Sequence, residues 1–139
     1  FRCIAFNPGN AAGNEVTGTA TGGVESFCAA ESTNVYLIDI HLGTILNIWP
    51  GDEDTRVGEK QGHTAVVTCV VYDELRVYSG SADESIMVWD TTTRKRVLVM
   101  EGHEGSIVTL AIDGSTLLSG SADTTIRMWD KLTGKLLKI

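Results

Sequence analysis

Two stretches decide the fold: "GHTAVVTCVVYDELRVYSGSADESIMVWD", Gly62 to Asp90, and "GHEGSIVTLAIDGSTLLSGSADTTIRMWD", Gly102 to Asp130. The second restates the first at an interval of 40 residues and needs no gap. His63 and His103 hold that interval, as do Ser79 and Ser119, Asp83 and Asp123, Trp89 and Trp129, Asp90 and Asp130. A fixed period of this length marks a repeat architecture, in which one supersecondary unit buries its apolar surface against the next copy.

Within each copy the pattern is β. "AVVTCVVY" is a nearly continuous apolar, β-branched run, and "RVYSGSA", "SIMVWD" and "KRVLVM" follow it across short polar breaks. Short runs bounded by turn residues read as strands. Runs apolar on both faces read as strands of sheets that are covered on both sides. No window shows a helical stripe. Each unit of ~40 residues thus holds four short strands, the signature of one propeller blade.

Gly-His with its His 26 residues before the Trp of Trp-Asp, and Ser-Gly-Ser-x-Asp between them, resembles the WD-repeat family of β-propellers. The resemblance runs from Lys60 to the C-terminus and extends more faintly backwards. "FRCIAFNP" sets Cys3 opposite Cys69, and "CAAESTNVYLID" sets Cys28 opposite Ser79, Ser32 opposite Asp83 and Ile38 opposite Trp89. It implies an all-β fold of four-stranded antiparallel blades forming an incomplete propeller of about three blades. The expected divisions are a degenerate blade over 1–50 with a Gly-rich insertion, an acidic insertion over 51–61, a blade over 62–101, and over 102–139 a blade plus the first strand of a next one. Phe1 falls on an inner strand and the end again cuts a repeat. The expectation is a segment of a longer propeller, or one completed by further blades from the same or another chain.

The resemblance also implies a polar group in each good repeat: His63, Ser79, Asp83 and Trp89, then His103, Ser119, Asp123 and Trp129. The carboxylate accepts from one ring nitrogen and fixes the tautomer, the other nitrogen meets the serine, and the hydroxyl meets the indole N–H. A buried network of this kind is worth most when every member is satisfied. The first unit cannot build it, since Ile38 has no donor and Ser32 no carboxylate.

His, Ser and Asp together raise the question of a hydrolase triad. A triad needs an exposed nucleophile and occurs once; this set occurs twice, at the repeat period, tied to a Trp. No catalytic residue is assigned and the chain reads as a non-enzyme. No Cys/His ligand spacing surrounds either histidine, so no metal is assigned. His41 stands alone in a turn. "GTATGG", Gly18 to Gly23, lacks the Lys of a phosphate-binding loop and reads as a flexible linker. No cofactor is implied.

A chain of 139 residues, 42% apolar with 15 glycines, can bury a core and make many turns. Its net charge of −7 counts against a free-standing nucleic-acid binder. Charge is uneven: "GDEDTRVGE" after Trp49 and Pro50 is acidic, and "TRKRV" around Lys95 is basic. Three cysteines without a Cys-x-x-Cys fit a reducing intracellular compartment, cytoplasm or nucleus. No apolar run is long enough to span a membrane.

The resemblance implies a non-catalytic scaffold for other proteins or peptides within an assembly. Candidate contacts on the Gly-His rim are Thr64, Glu84, Glu104 and Thr124. On the opposite rim they are Asp73, Glu74, Arg94 and Lys95. Trp49, one large apolar side chain beside a turn, either covers a blade edge or anchors a partner. Two alternatives stand beside this. WD-repeat substrate receptors of ubiquitin ligases hold phosphorylated motifs in an arginine-lined opening, and here only Arg2, Arg76 and Arg127 lie on or near strands. The other is the non-catalytic part of an enzyme.

Overall fold

The computed structural model describes residues 3–5, 19–21, 24–39, 42–51 and 62–139, with side chains described in 28–38, 42–51 and 62–139. Among these residues every regular element is a strand. They are β1 (Cys3–Ala5), β2 (Thr19–Thr21), β3 (Val24–Glu31), β4 (Asn34–Asp39), β5 (Ile45–Trp49), β6 (Val67–Tyr72), β7 (Arg76–Ser81), β8 (Ile86–Asp90), β9 (Arg96–Met100), β10 (Ile107–Asp113), β11 (Thr116–Ser121), β12 (Ile126–Asp130) and β13 (Leu136–Lys138). They form three antiparallel sheets in chain order: β1-β3-β4-β5 with β2 beside β3, then β6-β7-β8-β9, then β10-β11-β12-β13. This is the all-β, four-stranded arrangement of propeller blades, in an incomplete propeller.

The repeat persists in the irregularities of the ladders. The pairing of β6 with β7 slips between Val67 and Cys69, and that of β10 with β11 slips 40 residues later, between Ile107 and Thr109. The outer pairs slip between Val88 and Trp89, between Met128 and Trp129, and, in the first sheet, between Leu37 and Ile38. Bulges of this kind bend and twist a strand locally, and those of the outer pairs sit at the Trp position of each sheet or at its equivalent.

Three features depart from the sequence reading. Leu136–Lys138 does not open a further sheet: β13 pairs with β12 and completes the third one. The sequence repeat and the structural sheet are out of phase, because the strand after each Trp-Asp folds back on the strand that carries it. The Gly-rich stretch is not wholly linker, since β2 pairs with Val24 and Glu25 at the start of β3. The first hairpin is also one residue shorter. Glu31 pairs with Asn34 around a two-residue turn, whereas Gly80 pairs with Ile86. With β4 matched to β8, Ala29 rather than Cys28 therefore stands at the ladder place of Ser79, while Cys3 keeps the place of Cys69. Most of the acidic insertion, His41 and Arg2 lie outside the described residues.

The sheets meet face to face. Cys28, Ala30, Val35, Leu37 and Trp49 of the first pack on Val67, Val70, Tyr72, Val77, Met87 and Trp89 of the second. Burial pushes the Cys28 thiol far above its ordinary pKa, so it serves as a small apolar side chain. Tyr78, Ile86, Val88 and Met100 on the second sheet's other face pack on Ile107, Leu110, Leu117 and Trp129 of the third. Gly80 permits this approach, because a Cβ there would lie 2.5 Å from Ile107 Cγ2 and 2.8 Å from Cys69 Sγ. Thr68 Oγ1 donates across the junction to the carbonyl of Ile107. Among the described residues none covers the third sheet's far face in this way: Ile126 is 68% exposed, while its counterpart Ile86 is 0% exposed.

Candidate functional site

The second and third sheets each assemble a four-residue polar chain. His63 precedes β6, Ser79 lies on β7, Asp83 in the β7–β8 turn and Trp89 on β8. His63 Nδ1 is 2.9 Å from Asp83 Oδ2, His63 Nε2 is 2.8 Å from Ser79 Oγ, and Trp89 Nε1 donates to Ser79 Oγ at 2.8 Å. In the third sheet His103 Nδ1 is 2.7 Å from Asp123 Oδ2, and both His103 Nε2 and Trp129 Nε1 are 2.8 Å from Ser119 Oγ. One assignment satisfies all members: Nδ1–H donates to the carboxylate, the serine hydroxyl donates to Nε2, and its oxygen accepts the indole N–H. His63, Ser79, Trp89, His103, Ser119 and Trp129 are all buried.

The carboxylates do more than hold the imidazoles. Asp83 Oδ2 also accepts from Thr64 N, and its Oδ1 accepts from Ser85 N and from Ser85 Oγ at 2.6 Å. Glu104 N, Thr125 N and Thr125 Oγ1 do the same for Asp123. Burial alone would push the Asp83 carboxyl up. The bonds from His63, Ser85 and Thr64 outweigh it and hold it well below the usual carboxylate range. Asp123 is lowered in the same way, with Thr125 and His103 opposing the rise from desolvation.

Several contributors are absent from the sequence reading. Ser85 and Thr125 cap the carboxylates. Ser81 Oγ ties Asp83 N to the carbonyls of Ala65 and Val66, and Ser121 Oγ links Asp123 N to the carbonyl of Gly105. Asp90 Oδ1 accepts from Thr92 N and Thr93 N in the turn after β8, and Asp130 Oδ1 from Leu132 N and Thr133 N after β12. Their signal was available: each recurs at 40 residues as the same residue or as another hydroxyl.

The arrangement engages both Ser79 and Ser119 fully. Each serine oxygen accepts from a tryptophan, and each histidine sits between a carboxylate and that serine. Among the described residues no group of three His, Cys, Asp or Glu side chains could hold a metal ion. No helix among them is long and apolar enough to cross a membrane.

The rim candidates divide. Glu84 and Thr124 occupy turn positions with positive φ, 71° and 69°, and are exposed, as is Glu104. Thr64 is half-buried beside Asp83. On the other rim Asp73 is engaged by Lys131 Nζ of the third sheet at 2.9 Å, and Arg76 Nη1 donates to the carbonyls of Lys131 and Leu132. These bonds tie two sheets together, and Glu74 beside them is exposed. Arg127 lies elsewhere, against Gly102, so Arg76 and Arg127 do not share one opening. Trp49 is a core residue, 3% exposed, over Trp89 with ring centroids 5.8 Å apart, and its Nε1 donates to the carbonyl of Arg94 at 3.0 Å. It covers the neighbouring sheet, and Arg94 and Lys95 stand exposed beside it.

Comparison with known proteins agrees with this geometry. The profile described as "WD domain, G-beta repeat" matches residues 54–90 and 94–130, together just over half of the chain. Over 61 residues, 42% of this chain, the sequence is 38% identical to Eukaryotic translation initiation factor 3 subunit I of Homo sapiens and 41% identical to that of Xenopus laevis. The chain spans 19% of the length of these relatives. The crystal structure of RRP9 WD40 repeats superposes with a TM-score of 0.75 at 16% identity, over 99% of this chain and 37% of that one. The computationally designed Ika4 protein superposes at 0.69 with 28% identity, over 99% and 69%. The chain is thus a member of the WD domain, G-beta repeat family.

Proposed function

We propose that the chain is a non-catalytic interaction scaffold, a run of propeller blades that holds other proteins in a multiprotein assembly. The observation that carries this reading is the internal use of every chemistry-bearing side chain in the two polar chains. Their histidines, serines and carboxylates satisfy one another and rigidify the sheets, so what faces outward is turn residues on a stiff frame. The relatives of similar sequence include a protein named as a subunit of translation initiation factor 3, which supports membership of an assembly. Catalysis would need a reactive group outside these networks.

The test is capture of partners from the native source by the chain and by a rim variant, Glu84→Lys with Glu104→Lys. Both residues are exposed, so the variant keeps its melting temperature. The reading requires that a defined set of proteins co-purifies with the parent chain and is depleted with the variant. A catalytic turnover that survives in the purified chain would overturn it.

A further inference from the structure

Leu75 and Leu132 stand on the rim opposite the Gly-His loops and are 64% and 58% exposed. They come from different sheets: Leu75 lies in the turn between β6 and β7, and Leu132 in the turn between β12 and β13. The two turns are joined. Arg76 Nη1 donates to the carbonyls of Lys131 at 2.9 Å and Leu132 at 3.2 Å, and Lys131 Nζ meets Asp73 Oδ2 at 2.9 Å. Each leucine is also fixed within its own sheet. Leu75 N donates to Asp73 Oδ1, the Leu75 carbonyl accepts from Thr91 N and Thr91 Oγ1, and Leu132 N donates to Asp130 Oδ1.

The internal repeat shows what the fold asks of these places. Forty residues on from Leu75 is Ser115, and forty back from Leu132 is Thr92. The Ser115 carbonyl accepts from Lys131 N as that of Leu75 accepts from Thr91 N. Thr92 N donates to Asp90 Oδ1 as Leu132 N donates to Asp130 Oδ1. The backbone bonds are the same with a hydroxyl side chain, so the turns do not need leucine. One exposed leucine on a surface is ordinary. Here two meet at one junction, each where the other repeat carries a hydroxyl, on turns whose backbone is already held. That is a preorganised apolar site, and little order has to be gained when something binds it.

We infer that Leu75 and Leu132 dock a basic, apolar segment of a partner protein, its apolar side chains resting on the two leucines and a lysine or arginine beside them meeting the Glu74 carboxylate. This deepens the scaffold reading and rests on it. Polarity and charge select the occupant together. Asp73 and Lys131 neutralise each other beside the leucines, and Arg76 is committed to the two carbonyls. Glu74, next to Leu75, is exposed. Leucines beside a carboxylate, on a chain of net −7, repel the phosphates of a nucleic acid and of an anionic lipid surface. A cation next to an apolar side chain complements both features.

The experiment selects a phage-displayed library of random short peptides against the whole chain and measures the enriched peptide, fluorescently labelled, by anisotropy. The variant is Leu75→Ser with Leu132→Thr, the residues of the equivalent positions, so its melting temperature should stay at the parent value. Enriched peptides should carry Lys or Arg beside Leu, Ile, Phe or Trp. Their affinity should fall at least about tenfold with the leucine variant, and about threefold or more with Glu74→Lys or in about 0.3 M salt. No enrichment, enrichment of peptides without that pattern, or full affinity for the leucine variant would overturn the inference. So would a fall in the variant's melting temperature, which would assign the leucines to the chain's own packing. A dimer in light scattering that dissociates in the variant would assign them to a second copy and overturn it too. Absence of peptide binding with partner capture still dependent on Glu84 and Glu104 would remove this site and leave the scaffold reading standing.

Discussion

Trp89 Nε1 and His63 Nε2 converge on one atom, Ser79 Oγ, at 2.8 Å each. The serine is thus the hinge of the polar chain. Ser79→Ala strands an indole donor and an imidazole nitrogen in a buried place. Leaving a buried group unpaired costs about 1–3 kcal/mol. Ser79→Ala should therefore destabilise by at least that much, and Trp89→Phe, which removes only the donor end, by about 1–3 kcal/mol. Denaturant titration of the two variants and of His63→Ala checks both values. Unchanged midpoints would mean that the polar chain contributes nothing to stability.

The Asp83 carboxyl is held below its ordinary range in the fold. The unfolded chain binds a proton near pH 3.9. Stability from Asp83 is therefore complete above that value and is lost as pH falls through the lower folded value. Asp83→Asn should melt well below the parent at pH 7 and converge towards it below about pH 3.5. A constant gap across the acid range would contradict the assignment.

Gly80 and Gly120 are equivalent in sequence and unequal in surroundings. Alanine at 80 drives a methyl group into Ile107 and Cys69, whereas at 120 it meets only Thr109 Cγ2 at 2.9 Å. Thr109 is exposed and can turn away. Gly80→Ala should cost about 1–3 kcal/mol, with partial rescue by Ile107→Val, and Gly120→Ala less than half as much. Paired thermal melts decide it.

Trp49 lies between two sheets and donates to the Arg94 carbonyl. Trp49→Ala removes a large buried side chain and should cost about 3–5 kcal/mol. Trp49→Phe keeps most of the contact with Trp89 and should cost about 1 kcal/mol, mainly for the lost hydrogen bond. Tryptophan fluorescence of unfolding distinguishes them.

Asp73 and Lys131 form an ion pair between sheets at partly exposed positions. Lys131→Met should lower stability by less than about 1 kcal/mol, and the loss should fade with added salt. A salt-independent loss would point to packing instead.

The sheets were legible because the repeat was. Where two copies align without a gap, period and strand order follow from spacing, and the resemblance to WD repeats implies the membership of each polar chain. The first sheet was harder. Its hairpin turn is a residue shorter, and an ungapped alignment has no way to place a missing residue inside a turn, so Cys28 was set opposite Ser79 when Ala29 occupies that place. The phase of β13 was obscured for a different reason: a sequence period has no natural origin, and only backbone pairing shows which sheet a strand joins. Trp49 was ambiguous because composition cannot tell an indole lying against the next sheet from one facing water. The hydroxyls of Ser81 and Ser85 were visible as letters, but their bonds depend on turn geometry.

Each polar chain closes within a single sheet, from the loop before its first strand to the third strand. A unit can therefore lack the device without unfastening its neighbour, as the first sheet does, with Ile38 where the others have tryptophan. Such modules tolerate substitution one at a time, so a change in one polar chain is absorbed inside its own sheet while the packing between sheets stays the same.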